Sequence, residues 1–180
     1  MSPLVVVTGA PGAGKSTLSW ALAERLGCPL VSLDEIKEEL AADAPDTPRN
    51  WLRYDAEAEL VRRLVAVEGG AVVDIWVAPR RDVERVSDLL RPWWPALVEV
   101  RCDVPPDLAA ERYAARDRDW PPHLPADEET LARVRDAAAR PEALGAPRTV
   151  VVDTSGPVAL DDLVVAVRGE TPTRVRAPRR

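Results

Sequence analysis

A glycine-rich stretch near the start of the chain, VVVTGAPGAGKSTL, has the residue types and spacing needed to hold phosphate groups. Gly9, Gly14, Lys15 and Ser16 form the pattern GxxxxGKS, directly after an apolar run and directly before a helical segment. Glycines let backbone N–H groups converge on phosphate oxygens, and the helix N-terminus adds its dipole. Lys15 would reach the β- and γ-phosphates, and the Ser16 hydroxyl would ligate Mg²⁺. The alternative is an ordinary glycine-rich turn. The residues predicted to bind nucleotide in this P-loop are Gly9, Ala10, Pro11, Gly12, Ala13, Gly14, Lys15, Ser16 and Thr17.

Asp34 follows the second apolar run, in the segment VSLDEIKEEL. Open α/β sheets bind ligands beyond the carboxyl ends of their strands, so this carboxylate could accept the proton of an attacking hydroxyl. Lys37 lies on the same helical face and could orient substrate or phosphate. Alternatively, Asp34 only complements the helix dipole and Lys37 is its solvated partner. Because the upstream P-loop requires a positioned base, we predict Asp34 as general base and Lys37 as a substrate contact.

Asp74 ends the apolar sequence AVVD of the third run. A buried aspartate is costly unless it serves a metal or accepts hydrogen bonds, and an acidic residue here is the natural partner of Ser16 in a Mg²⁺ shell. Facing the substrate and a purely structural role are the alternatives. Arg81 follows near the same sheet edge and is a candidate substrate contact.

Two arginines, Arg112 and Arg116, lie four positions apart and share a helical face. Arginines on a lid, predicted here over residues 112–126, can close over ATP and neutralise charge in the transition state. The alternative is an exposed helix with surface ion pairs. Prolines make residues 117–125 a loop, and we expect His123, the only histidine, at its surface.

Two further segments supply predicted contacts. Trp51, Arg53 and Tyr54, at the head of the third helix, could line the acceptor pocket, although such aromatic residues equally often belong to a core or an interface. Asp153 and Thr154 follow the fifth apolar run, and we expect them to border the adenine of a bound nucleotide.

The composition indicates one globular domain. A chain of 180 residues, 46% hydrophobic and 30% charged, can bury a single core. The net charge of -6 gives no general attraction for nucleic acid, although a local basic cleft remains possible. From the first residues of the sequence we expect neither a signal peptide nor a membrane-spanning run. Two cysteines, Cys28 and Cys102, are expected to be buried and fit a reducing compartment, so we expect a cytoplasmic protein.

Short apolar runs alternate with helical segments, which predicts an α/β fold with three layers and a doubly wound parallel five-stranded sheet. The predicted strands are residues 4–8, 29–32, 71–77, 97–102 and 149–152. The predicted helices are residues 15–26, a segment starting at 32, 50–68, 81–90, 106–116, 127–140 and 160–168. The domain is predicted to span 1–169, with a basic tail, 170–180, that we expect to be disordered.

Together these motifs resemble the small P-loop kinases of the AAA-type predicted kinase group. In layout the chain is also similar to the kinase domain of polynucleotide 5′-hydroxyl kinases and to chloramphenicol phosphotransferase. The resemblance covers about residues 4–167 and implies ATP binding by residues 9–17, general-base action by Asp34, lid roles for Arg112 and Arg116, and a strand order of 2-3-1-4-5.

The chain also departs from that pattern. Polynucleotide kinases typically carry arginine where Lys37 stands, and lysine is a poorer bidentate phosphate clamp. Ile75 and Trp76 replace a pair that is often polar in those enzymes. With the acidic net charge, these differences favour a neutral small hydroxylated acceptor.

The sequence therefore predicts a kinase that uses ATP and Mg²⁺ to phosphorylate a hydroxyl group of a small molecule. The alternatives are a polynucleotide 5′-hydroxyl or nucleotide kinase, and a nucleotide-dependent switch or regulatory ATPase. The pattern specifies neither the acceptor nor the oligomeric state.

Overall fold

The computed structural model describes residues 3–44, 46–116, 125–169 and 174–175. Within them one parallel sheet has the strand order β2-β3-β1-β4-β5-β6. The strands are β1 (Leu4–Thr8), β2 (Leu30–Ser32), β3 (Ala71–Asp74), β4 (Leu97–Asp103), β5 (Arg148–Asp153) and β6 (Arg174–Val175). The predicted α/β class and the order 2-3-1-4-5 are confirmed.

The sixth strand lies in the tail, 170–180, that the sequence predicts to be disordered. Residues 174 and 175 pair with Val151 and Val152 at the edge of β5, and the side chain of Val175 is buried. Expecting disorder was wrong for these two residues, because an unpaired strand edge and a hydrophobic layer were within their reach. The rest of the tail lies outside the described residues.

Seven helices in the described residues cover the sheet. They are α1 (Lys15–Leu26), α2 (Leu33–Asp43), α3 (Arg49–Ala66), α4 (Val83–Leu89), α5 (Pro106–Ala115), α6 (Glu128–Ala139) and α7 (Leu160–Arg168), and a 3₁₀ helix spans Arg91–Ala96. Ser32 starts α2 by accepting a hydrogen bond from the Glu35 N–H at 3.3 Å, and Gly27 ends α1 with φ 66°. None of the helices among these residues is long and apolar enough to cross a membrane.

The core is divided into two layers by the sheet. Val5 and Val7 of β1 pack with α1, α5 and α7 on one face, whereas Leu4 and Val6 pack with α2, α3 and α4 on the other. Strands that are apolar on both faces are typical of parallel sheets covered on both sides.

The third strand is shorter than its apolar run predicts: it ends at Asp74 and not at residue 77. The cause is its neighbour β1, which ends at Thr8 and turns into the glycine loop, so the last bond between them runs from the Ile75 N–H to the Val7 carbonyl at 3.3 Å. Asp74 therefore stands at the carboxyl edge, in register with Val7 on one side and Ser32 on the other.

A buried carboxylate, Glu99 of β4, connects three parts of the fold. It accepts hydrogen bonds from the Thr8 hydroxyl at 2.8 Å, the Thr149 hydroxyl at 3.0 Å and the Leu144 N–H at 3.1 Å. It thereby fixes the last residue of β1, immediately before the glycine loop, against β5 and the segment after α6.

The two cysteines differ in burial. Cys102 is buried, and desolvation raises the pKa of its thiol to about 12. Cys28 is only half-buried, so its predicted full burial was wrong; it follows the end of α1, where the chain passes over the surface toward β2.

Candidate active site at the carboxyl ends of the strands

The glycine loop connects β1 to α1 and is packed tightly by a second helix. Gly12 has φ 80°, and a Cβ added to it would lie 2.1 Å from the carbonyl oxygen of Ala109 in α5. Only glycine fits this position without moving α5. The Lys15 ammonium group lies along the loop and donates to the Ala10 carbonyl at 3.2 Å, so the predicted phosphate-binding cation is beside the loop backbone.

Asp74 is the buried centre of the site, 6% exposed at the end of β3. Burial raises the pKa of its carboxyl, and the charge of Asp34 acts in the same direction. Lys15, a hydrogen bond with Ser16 and the charge of Arg116 each lower that pKa. The structure thus brings together a lysine, a hydroxyl, two carboxylates and an arginine that are widely separated in the sequence.

Asp34 lies in the first turn of α2, two residues beyond Ser32, the residue that pairs with Asp74. Its carboxylate accepts a hydrogen bond from the Lys37 ammonium group at 2.8 Å, and the Asp34 side chain is 54% exposed. The carboxylate of Asp34, the predicted base, is therefore accessible to solvent and is held in place by the Lys37 cation.

Glu35, in the first turn of α2, is a residue that the sequence motifs did not single out. Partial burial raises the pKa of its carboxyl, and the nearby charge of Asp74 raises it further. Its position next to Asp34 in a segment that follows a strand end was the signal that could have identified it as part of the acidic side of the site.

A cavity of about 380 Å³ lies on the other side of the loop. Gly14 and Thr17 line it from the loop and α1, and Thr154 and Pro157 line it from the segment after β5. Arg112 of α5 borders the same cavity and donates to the carbonyl groups of Thr154 and Ser155 at 2.8 and 3.0 Å. The volume suits a nucleoside.

Asp153, also predicted to border the adenine, forms hydrogen bonds within the local turn that follows β5. Its carboxylate accepts from the N–H and the hydroxyl of Ser155 at 2.9 and 2.6 Å. It shapes the segment that carries Thr154.

Three arginines meet two buried carboxylates at the opposite side of the sheet edge. Asp82 Oδ2 lies 3.1 Å from Arg53 Nη2, an ion-pair contact, and accepts a hydrogen bond from Arg81 Nη2 at 2.9 Å, while Arg85 donates to Oδ1 at 3.0 Å. Glu57 accepts hydrogen bonds from Arg53 and Arg85 as well. Arg53 and Arg81, both predicted substrate contacts, thus fix the turn between β3 and α4.

The aromatic residues predicted beside Arg53 are exposed, unlike the carboxylates of this network. Trp51 is 61% exposed and Tyr54 is 56% exposed. An acceptor role for Trp51 and Tyr54 remains a prediction, with their side chains at the surface of α3. The central part of the predicted lid, with His123, lies outside the described residues.

No group of three metal-ligating side chains occurs in the parts of the chain that the structure covers. Mg²⁺ at phosphoryl-transfer sites commonly takes one or two protein ligands and completes its shell with phosphate oxygens and water. The hydrogen-bonded pair of Asp74 and Ser16 offers oxygen ligands of this kind.

The fold and the glycine loop define a protein with the architecture of P-loop kinases. A solved structure of a "putative kinase" from Chloroflexus aurantiacus has a TM-score of 0.76 at 24% identity. The match covers 96% of this chain and 100% of that chain. A gluconokinase from Sinorhizobium meliloti has a TM-score of 0.60 at 23% identity, with 92% of this chain and 89% of that chain covered.

The chain belongs to the AAA domain family, whose model matches residues 4–141. Among curated relatives, a cytidylate kinase from Halorubrum lacusprofundi is 40% identical over 60 residues, which are 33% of this chain and 31% of the relative. The matched segment thus spans about a third of that relative.

Proposed function

We propose that this protein is a kinase that transfers the γ-phosphate of ATP, with Mg²⁺, to a hydroxyl group of a small molecule. The surroundings of Asp74 carry the proposal, since the Lys15 cation, the Ser16 hydroxyl and the Asp34 carboxylate all act on this one buried group. Phosphoryl transfer needs a cation for the phosphates, oxygen ligands for a metal and a base for the acceptor.

The donor half is the glycine loop and the cavity beside it. Backbone N–H groups of residues 9–17 would hold the phosphates, and Lys15 would contact the β- and γ-phosphates. The 380 Å³ cavity at Thr154 would take the nucleoside, with Arg112 at its border.

The acceptor half is centred on Asp34. Its carboxylate takes the proton of the acceptor hydroxyl while the acceptor oxygen bonds to the γ-phosphorus, and the bond from that phosphorus to the β–γ bridging oxygen breaks to release ADP. Lys37 holds the carboxylate, and Arg116, close enough to act on Asp74, neutralises charge on the transferring group.

Ser16 and Asp74 are the residues that would hold Mg²⁺. Bound there, the ion neutralises charge on the β- and γ-phosphates. Because Ser16 is close enough to lower the pKa of the Asp74 carboxyl, this chain presents both oxygen ligands near the carboxyl end of β3.

A nucleotide kinase is the second candidate. It is favoured by the cytidylate kinase relative, whose name describes phosphorylation of a nucleotide. The gluconokinase neighbour, by contrast, is named for a small hydroxylated acceptor. A polynucleotide 5′-hydroxyl kinase is a weaker alternative, since Lys37 stands where arginine is typical and the net charge is -6.

The test is a screen of ATP consumption with hydroxylated metabolites, nucleoside monophosphates and oligonucleotides as acceptors. With the acceptor found, we expect Asp34→Ala to lower kcat by about a hundredfold to ten-thousandfold, the usual range for a general base. Asp43→Ala, an exposed carboxylate at the other end of α2, is the matched control and should act like wild type. Undiminished transfer by Asp34→Ala would reject the assigned base.

A further inference from the structure

We propose that a small cavity behind the glycine loop binds one carboxylate oxygen of the phosphate acceptor, so that the acceptor is a hydroxy acid. This inference rests on the proposed kinase function and replaces the neutral acceptor expected from the sequence. The site consists of Arg101 of β4 and Trp76, which follows β3.

The cavity adjoins the place where phosphoryl transfer would occur. Thr8, Gly9 and Ala10 form one wall, and Trp76 and Arg101 form another. The Ala10 carbonyl accepts a hydrogen bond from the Lys15 ammonium group. Thr8 is in register with Arg101, and Trp76 lies two residues beyond Asp74. A molecule bound here would therefore lie beside the predicted γ-phosphate position.

Two buried donors at this cavity lack partners. Nε1 of Trp76 and Nε of Arg101 are inaccessible to solvent, and neither has a hydrogen-bond partner in the described part of the chain. Buried N–H groups in folded proteins are almost always paired, with protein, water or ligand. Because both residues line the same cavity, we take an oxygen atom bound there as the missing partner of these donors.

Size and charge select the kind of oxygen. The cavity holds about 10 Å³, close to the space of a single water-sized atom, so one oxygen of a carboxylate can enter and a sugar ring cannot. The guanidinium of Arg101 is permanently charged and favours an anionic oxygen. Within the described ranges its Nε has no hydrogen-bond partner, so this N–H can donate to a ligand.

Glu142 also lines the cavity and limits the charge that it accepts. Its carboxylate accepts a hydrogen bond from the backbone N–H of Arg80 at 2.5 Å, so it is fixed at this wall. A fixed negative charge beside Arg101 disfavours a doubly charged phosphate more than a single carboxylate.

Trp76 is held in position from its other side. The Arg81 guanidinium lies 5.6 Å from the centroid of the Trp76 ring, and Asp82 holds Arg81. The buried ion-pair network at Asp82 therefore holds in place the Trp76 side chain that lines the cavity.

The experiment compares matched acceptors on the full-length protein with ATP and Mg²⁺: glycerate against glycerol, and gluconate against glucitol. We expect each acid to be preferred over its alcohol at least about tenfold in kcat/KM, as charge-assisted hydrogen bonds allow. Arg101→Met should raise KM for the acids about tenfold and leave KM for ATP unchanged. Trp76→Phe, which keeps an aromatic side chain but removes the indole N–H, should raise KM for the acids by a smaller factor.

Arg133→Met is the control, since Arg133 is an exposed arginine of α6 paired with Glu129, and it should keep the preference. Equal use of acids and alcohols, or a preference that survives both Arg101→Met and Trp76→Phe, would overturn the proposal and assign the cavity to a structural water.

Failure of the kinase function itself is a separate outcome. If no acceptor is phosphorylated, calorimetric binding of glycerate and gluconate decides the inference. Binding that is lost in Arg101→Met and retained in Arg133→Met supports the site, and absence of binding, or binding insensitive to Arg101→Met, rejects it.

Discussion

At the scale of single residues, Asp74 and Asp82 show two opposite ways in which this chain holds a buried carboxylate. Burial raises the pKa of Asp74, and Lys15 and Ser16 only partly offset this effect. Burial also acts to raise the pKa of Asp82, but hydrogen bonds from Arg81 and Arg85, the charge of Arg53 and the Ala78 N–H outweigh it, and the pKa falls below its usual range. The positive charges around Asp74 therefore do not fully compensate for its burial, whereas the arginines around Asp82 keep that carboxylate ionised.

The Asp82 network predicts a pH-dependent contribution to stability. A carboxyl whose pKa is lowered by folding stabilises the folded state above its unfolded pKa, about 3.9, and this contribution is lost as the pH falls toward the folded pKa. Wild type should therefore be more stable than Asp82→Asn at pH 7, and the difference in free energy of unfolding should shrink below about pH 4.

Urea denaturation of both proteins between pH 7 and pH 3 measures this difference. Asp88→Asn is the control, because Asp88 is an exposed carboxylate of α4 with one surface partner, Arg91. A difference between wild type and Asp82→Asn that stays constant down to pH 3 would contradict the role assigned to the network.

The sequence revealed the donor residues better than the acceptor residues. Lys15 and Ser16 belong to a motif whose geometry is local, and Asp34 and Asp74 follow strands, so their meeting at one sheet edge could be expected. The pairing of Arg53 with Asp82, and the exposure of Trp51, depend on how α3 packs against the turn before α4. No local pattern encodes that packing.

At the scale of elements, α5 acts as a support for the glycine loop. The Ala109 carbonyl occupies the space that a Cβ at Gly12 would need, and Arg112 of the same helix is bonded to the segment after β5. The helix thus connects the loop that would hold phosphates with the segment that would hold the nucleoside.

This packing predicts a difference between two glycines that share a left-handed backbone. Gly27 has φ 66° and no atom within 4 Å of an added Cβ, whereas Gly12 has φ 80° and the Ala109 carbonyl in contact. Gly27→Ala should lower the free energy of unfolding by about 1–2 kcal/mol from backbone strain alone. Gly12→Ala adds overpacking and should cost about 2–5 kcal/mol.

Equilibrium unfolding in urea measures both values, and equal losses for the two variants would show that α5 does not press on the loop. Because the Gly12 change moves the loop backbone, it should also weaken nucleotide binding, whereas Gly27→Ala should leave that binding unchanged.

Element boundaries were predictable where a local signal fixes them. The bounds of β1, α1 and α7 agree with the sequence prediction, because an apolar run meets the glycine loop, Gly27 or Gly169. The end of β3 was not predictable from its own residues, since it depends on where β1 stops offering partners. The short strand β6 depends on a free edge of β5 for the same reason.

At the scale of the whole molecule, the fold brings the ends of β1, β2 and β3 together and covers them from two sides. Val7, Ser32 and Asp74 form one row across the sheet. This row is where the proposed donor and acceptor sites would adjoin. The predicted lid, residues 112–126, would complete the cover over both.

The most direct test of the proposed kinase function is the fate of the γ-phosphate. With γ-labelled ATP, Mg²⁺ and a mixture of small hydroxylated metabolites, the protein should transfer label to an organic phosphate ester, and Lys15→Met should abolish this transfer. Label that appears only as inorganic phosphate, at a rate independent of any added small molecule or nucleotide, would contradict the kinase function and favour a regulatory ATPase.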